Sequence, residues 1–283
     1  MAKSPVVDVS INLRGHTSLP FYSSEKYLDA KKRGETPWTT ESLVGALDEA
    51  GIDIGGVIAS FAANGVGGAL DPIDIEDVHK VVSAAPDRLF GWVGINPLTT
   101  MDTLRQITYA VEELGFKGVH VYPHWFGVRV DDRSYWPIYA KCVELGVPIA
   151  VQVGTQTPRS HAKLVAKPSW LDSVAFDFPE LKLLGLHIGS PWVEEMIMLC
   201  RNYENVYILA DAHRPETWEP GLIRYMKAEG SHQSMDGADR VIWGTDWPVQ
   251  EFKPSLSAVR DLQLGPEIEG KLLGGNAIKL FDL

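Results

Sequence analysis

Two cysteines in 283 residues are too few for a disulfide scaffold, and Cys142 and Cys200 fall in separate segments with helical patterning. A reducing, cytoplasmic setting is the expectation. No apolar run approaches the roughly 20 residues that cross a bilayer, and the opening MAKSPVVDV has neither the apolar core nor the cleavage pattern of a secretory signal. Runs of Lys or Arg are missing too. With 26 basic against 37 acidic residues the net charge is −11, which argues against nucleic acid or an anionic membrane as partner. A small molecule is the partner expected, and an anionic one is not excluded, because a few buried Arg or His residues reverse the local field. The glycine run Gly65–Gly68 is not followed by the Lys-Ser/Thr of a phosphate-binding loop. Neither a linker nor an internal repeat is visible.

What is present is alternation. Short apolar, β-branched runs stand at Val6–Ile11, Gly56–Ser60, Leu89–Ile95, Gly118–Tyr122, Pro148–Val153, Lys182–Leu186, Val206–Leu209 and Arg240–Trp243. Most are nearly continuous in apolar residues, as parallel strands covered on both faces are. Helical patterns fall at Thr40–Glu49, Ile75–Ala85, Met101–Leu114, Ser134–Leu145, Pro191–Asn202, Glu216–Ala228, Pro254–Leu264 and Pro266–Phe281. Gly115 and Gly146 act as helix stops and Pro191 as a first-turn residue. Eight strands alternating with helices predict an α/β fold of the (β/α)8 TIM-barrel type, and the length suits one domain over 1–283, since such barrels take about 250 residues. The polar, aromatic stretch 15–39 is read as an ordered excursion that caps the barrel mouth.

In such a barrel the chemistry sits at the C-terminal ends of the strands. Those ends carry Asp8 to Asn12 on the first strand, His120, Tyr122 and His124 at the fourth, and Gln152 at the fifth. His187 ends the sixth, His213 follows the seventh and Asp246 the eighth.

Three segments carry a resemblance: Gly115-Phe116-Lys117-Gly118-Val119, Glu144-Leu145-Gly146-Val147-Pro148, and Ile242-Trp243-Gly244-Thr245-Asp246-Trp247-Pro248. With His187-Ile188-Gly189 in the stretch Leu184–Glu195, they resemble the amidohydrolase-related hydrolases and decarboxylases, the group that includes aminocarboxymuconate-semialdehyde decarboxylase. The resemblance runs from about Val6 to Gly275-Asn276-Ala277, and it implies an amidohydrolase-type barrel and a homodimer. The group's metal site uses His-x-His on strand one, His on strand five, often His on strand six, and Asp on strand eight. Here strand one reads Ser10-x-Asn12 and strand five Gln152, so only His187 and Asp246 match. A catalytic zinc usually has three good protein ligands, and amide and hydroxyl oxygens substitute poorly for imidazole. No metal and no cofactor is therefore expected, unless relocated histidines such as His16, His124 or His213 rebuild a site.

Asp246 is read as a general base and His187 as a polariser or proton donor, or as two residues bonded to each other as a relic of the lost site. Ser10, Asn12 and Gln152 either fill a vacated pocket or bind substrate; all three keep hydrogen-bonding ability. Tyr122, His124 and Trp125 suit an aromatic wall, with His124 and Arg129 taking a substrate carboxylate, although Arg129 has Asp131 and Asp132 beside it. Arg14 and His213 are further substrate-binding candidates, His213 with a loop salt bridge as its plainer role. The leading expectation is a metal-independent, lactonase-like hydrolase of a carboxylated or aromatic substrate. A pyrone-dicarboxylate lactonase of the resembled superfamily works without a metal, although it keeps the strand-one histidines. The alternatives are a decarboxylase or other carbon–carbon lyase acting on an aromatic or unsaturated acid, and a catalytically silent small-molecule-binding barrel.

Overall fold

The computed structural model describes residues 4–15, 25–60, 72–154, 164–228 and 237–283. His16 and the run Gly65–Gly68 lie outside the described residues.

Eight parallel strands follow one another around a barrel in chain order: β1 (Val7–Asn12), β2 (Ile54–Ile58), β3 (Leu89–Gly94), β4 (Gly118–Val121), β5 (Ile149–Gln152), β6 (Leu183–Leu186), β7 (Val206–Ala210) and β8 (Val241–Trp243). All eight expected strands are present, most a residue or two shorter. Their continuous apolar character follows from burial on both faces, by the barrel interior and by the helices outside. Hydrogen-bonded ladders join each strand to the next, from β1–β2 round to β7–β8. The β8–β1 seam closes differently. There Ile11 bridges Trp247, the Asn12 N–H donates to Trp247 O (3.1 Å) and the Trp247 N–H donates to Ser10 O (3.2 Å). Gly244 permits this approach, since a Cβ there would lie 2.9 Å from the Ser10 Cβ.

The outer helices are α1 (Leu28–Arg33), α2 (Thr40–Ala50), α3 (Ile75–Val82), α4 (Thr100–Glu112), the single turn α5 (Pro123–Phe126), α6 (Trp136–Glu144), α7 (Leu171–Asp177), α8 (Val193–Asn202), α9 (Pro220–Met226), α10 (Phe252–Asp261), α11 (Pro266–Gly270) and α12 (Asn276–Phe281). A reciprocal Thr39–Ser42 capping box starts α2, and Leu43 and Leu47 bury its inner face. The Asp74 carboxylate caps α3, whose Val78, Val81 and Val82 face the barrel. Several helical regions differ from the sequence reading. Helices α1, α5 and α7 were not anticipated: four to seven residues hold too few turns to display a helical period. The closing segment is not one helix either. A π-turn, Lys271–Gly275, separates α11 from α12, and Asn276 at its end donates to Ala238 O (2.7 Å) and Val241 O (2.8 Å) at the start of β8. Among the described residues no helix is long and apolar enough to cross a membrane.

The described part of the excursion after β1 is fastened at both ends. The Gly15 N–H donates to Gly34 O (2.9 Å) and the Trp38 N–H to Leu13 O (2.9 Å). Arg33 donates to Pro248 O (3.0 Å), and the Trp38 ring lies 4.7 Å from that of Trp247. This segment therefore docks on the exit of β8, beside Asp246.

Candidate acid–base site

At the exits of β6, β7 and β8 the chain turns through left-handed backbone conformations that L-residues seldom adopt: His187 (φ 58°) and Ile188 (φ 51°), Ala212 (φ 57°), and Asp246 (φ 53°). Such residues cost about 1–3 kcal/mol each and persist only where surrounding bonds impose them. Here those bonds are visible.

His187 is held by Asp211. Asp211 Oδ1 accepts the His187 main-chain N–H at 2.8 Å and lies 2.8 Å from Nδ1 of the ring. Asp211 Oδ2 accepts the hydroxyl of Ser10, also at 2.8 Å. Asp246 is held from β1: the Asn12 amide donates to its Oδ1 (3.1 Å) and to Trp247 O (2.7 Å). Both of these partners are acceptors, so the amide orientation is determined, and Asn12 Oδ1 is left buried with no hydrogen bond. Beneath them Asp8, fully buried, accepts the N–H groups of Ser10 and Thr245 (3.0 Å each) and the Thr245 hydroxyl (2.7 Å).

Charge follows from these contacts. Burial alone pushes the His187 imidazole down, but the Asp211 carboxylate, with a lesser contribution from Asp246, outweighs it and raises the ring to about 9. Burial pushes Asp211 up, but its bonds to His187 and Ser10 prevail and hold it below the ordinary carboxylate range. Asp246 is pushed up to about 7, chiefly by burial, with the His187 charge opposing and the neighbouring Asp211 and Asp8 adding. Asp8 also rises to about 7 through burial. His124 falls to about 3, first through burial and then through the charge on His187, and is neutral. At neutral pH the site therefore holds a fixed imidazolium–carboxylate pair beside a carboxyl group divided between its two protonation states.

The sequence-predicted residues separate into groups. His187, Asp246, Ser10 and Asn12 form one connected network. His124 joins it electrostatically and extends into the aromatic wall: Tyr122 lies 4.1 Å from Trp125 and 5.9 Å from His124, centre to centre, and all three are buried. Gln152 ends β5 with its Oε1 buried and unbonded, and His124 Nε2 is likewise buried and unbonded. Arg14 donates to Pro72 O (3.1 Å). The main-chain carbonyl of His213 accepts from Trp218 Nε1 (3.1 Å) and Gln250 Nε2 (3.0 Å). Arg129 is not brought to the group. Its fork is taken by Asp131 (3.0 and 2.6 Å), it lies over the Trp170 ring, and its side chain is half exposed. Asp211 is the residue that sequence reasoning missed. Strand β7 runs one residue past the expected Leu209, which makes Asp211 the first residue beyond the strand and places it ahead of His213. An acid directly after a continuous apolar strand was the available signal.

These side chains do not fit a divalent cation. The Ser10 hydroxyl is spent on Asp211 and the Asn12 amide nitrogen is turned towards Asp246, so His187 Nε2 and Asp246 Oδ2 are the only two strong donors left of this set, fewer than the three protein ligands a catalytic zinc usually has. Among the described residues no three His, Cys, Asp or Glu side chains gather as a ligand set.

Eight parallel strands in chain order make a (β/α)8 barrel, with His187 directly after β6 and Asp246 three residues beyond β8. The chain belongs to the amidohydrolase family, whose model matches residues 73–283. It is 22% identical over 233 residues to a 2-amino-3-carboxymuconate-6-semialdehyde decarboxylase of Dictyostelium discoideum, covering 74% of this chain and 65% of that protein, just under two thirds of its length. It is 23% identical over 246 residues to a gamma-resorcylate decarboxylase of a Polaromonas species, covering 71% of this chain and 73% of the relative. Among solved structures it resembles an uncharacterized TIM-barrel protein of Bordetella bronchiseptica, with a TM-score of 0.76, 24% identity and 98% of each chain covered.

Proposed function

We propose that the protein is a metal-independent decarboxylase of small aromatic or conjugated unsaturated carboxylic acids. Asp246 is the acid that protonates the carbon losing its carboxylate, and His187 is the cationic donor that draws the substrate anion into the site. The observation that carries this reading is the contrast between these two residues: one fixed as a cation by Asp211, the other raised to about 7 and so able to hold a proton at neutral pH. Lactone hydrolysis, the leading expectation from the sequence, takes second place, because both curated relatives bear decarboxylase names.

Asn12 occupies Oδ1 of Asp246, which leaves Oδ2 to carry the proton. A π-electron pair of the substrate takes that proton at the carbon bearing the carboxylate. The carbon–carboxylate bond then breaks, its pair restores the π system, carbon dioxide leaves, and Asp246 recovers a proton from water. Nδ1 of His187 is committed to Asp211, so Nε2 is the nitrogen offered to the substrate. The unfilled acceptors Asn12 Oδ1 and Gln152 Oε1 suit hydroxyl or amino groups on the substrate, and Tyr122 and Trp125 suit a flat ring.

The test is a panel of hydroxy- and amino-substituted aromatic and unsaturated acids in deuterated water, with carbon dioxide and product followed. The expected product carries one deuterium at the carbon that lost the carboxylate, and Asp246→Asn slows its formation by about a hundredfold or more. Opening of lactones with no carbon dioxide released from any acid would overturn the proposal.

A further inference from the structure

The register of β1 against β2 shifts between Asp8 and Ile11, and the contacts of Asp8 with Thr245, Ser10 with Asp211 and Asn12 with Asp246 put the three side chains on one face, towards the exits of β7 and β8. Asp8 registers that face against β8, since one oxygen of its carboxylate accepts both the Ser10 N–H and the Thr245 N–H. Ser10 then donates its hydroxyl to Asp211 Oδ2, while Oδ1 of the same carboxylate serves the main chain and the ring of His187. Donors on both oxygens fix the plane of the Asp211 carboxylate, and that plane sets the direction of the Nδ1 contact. Ser10 is 1% exposed and the β8 backbone at Gly244 is pressed against it, so bulk water does not replace a lost hydroxyl.

We propose that Ser10 is a positioning residue that sets the His187 ring through Asp211, in place of any direct contact with substrate. This rests on the reading of His187 as the charged donor of the site, but not on which reaction follows. On this account the polar residue at a position that resembles a ligand position serves the acid–base machinery from behind.

The experiment compares Ser10→Ala, Asp211→Ala and the double variant in full-length protein labelled with nitrogen-15 histidine. The His187 Nδ1–H resonance reports the contact with Asp211, and steady-state kinetics report turnover where a substrate is in hand. Ser10→Ala is expected to move the resonance and to lower kcat about tenfold, the size of a hydrogen bond to a charged group, with KM within about twofold. In the Asp211→Ala background, adding Ser10→Ala is expected to change neither. Ser10→Cys, close in size with a weak S–H donor, is expected to give an intermediate resonance, and it carries the test should the alanine variant fail to fold. An unmoved resonance in the single variants, or an equal effect of Ser10→Ala with and without Asp211, would overturn the proposal. The resonance needs no turnover, so a protein that decarboxylates nothing refutes the proposed function and still leaves this measurement decisive.

Discussion

Replacing Asp211 with Asn removes the charge that keeps His187 protonated while leaving an oxygen of the same shape for the His187 N–H. The ring stands at about 9 in the wild type because the carboxylate outweighs burial. With a neutral amide in its place only the lesser pull of Asp246 stands against burial, and the ring falls towards the ordinary 6.5. At about 1.4 kcal/mol per pH unit, that fall is worth about 3 kcal/mol, in the range of about 3–5 kcal/mol measured when one partner of a buried ion pair is removed. The pH dependence has a definite sign. A histidine raised in the folded state contributes stability that is fully present below pH 6.5 and is lost as pH rises through 9. The stability gap between wild type and Asp211→Asn is therefore expected to be widest at pH 6 and to narrow towards pH 9.5. Urea unfolding across that range measures the gap, and nitrogen-15 imidazole shifts follow the ring itself. A His187 that still titrates near 9 in the variant, or a gap that does not change with pH, would refute the reasoning.

Other outcomes follow from the same geometry. Asp246 is raised in the folded state, so its stabilising protonation is lost as pH rises from about 4 to about 7. Asp246→Asn should therefore raise the urea midpoint at pH 8 and change it little at pH 4, while reducing turnover by about a hundredfold or more, the usual share of a general acid. Gln152→Leu removes an unfilled buried acceptor and should raise KM about tenfold for acids bearing a hydroxyl or amino donor, and much less for acids without one, by steady-state kinetics. Arg129→Ala should leave kcat/KM within about twofold, because Asp131 already occupies its fork; a large loss in the same assay would return Arg129 to the substrate.

The barrel was legible in the sequence because parallel strands buried on both faces are written as continuous apolar runs, as at Val206–Ala210. Single turns and short helices such as α7 carry no such period. At the site, the neutral residues on β1 identified the altered positions, but direction was not encoded there. Only packing turns the Asn12 amide nitrogen to Asp246 and Trp247 O, and the Ser10 hydroxyl across the barrel to Asp211. Asp211 was hidden by one residue of strand length. Arg129 looked like a carboxylate binder by residue type, whereas Asp131, two positions on, takes its guanidinium locally.

The central claim is that a fixed imidazolium and a neighbouring carboxyl group perform the chemistry without a metal. The most direct measurement is the rate of carbon dioxide release plotted against metal content, in protein stripped with chelator and then reloaded with graded manganese or zinc. The expected result is a rate that is unchanged from metal-free to fully loaded protein. A rate that disappears with the metal and returns in proportion to it would contradict the account.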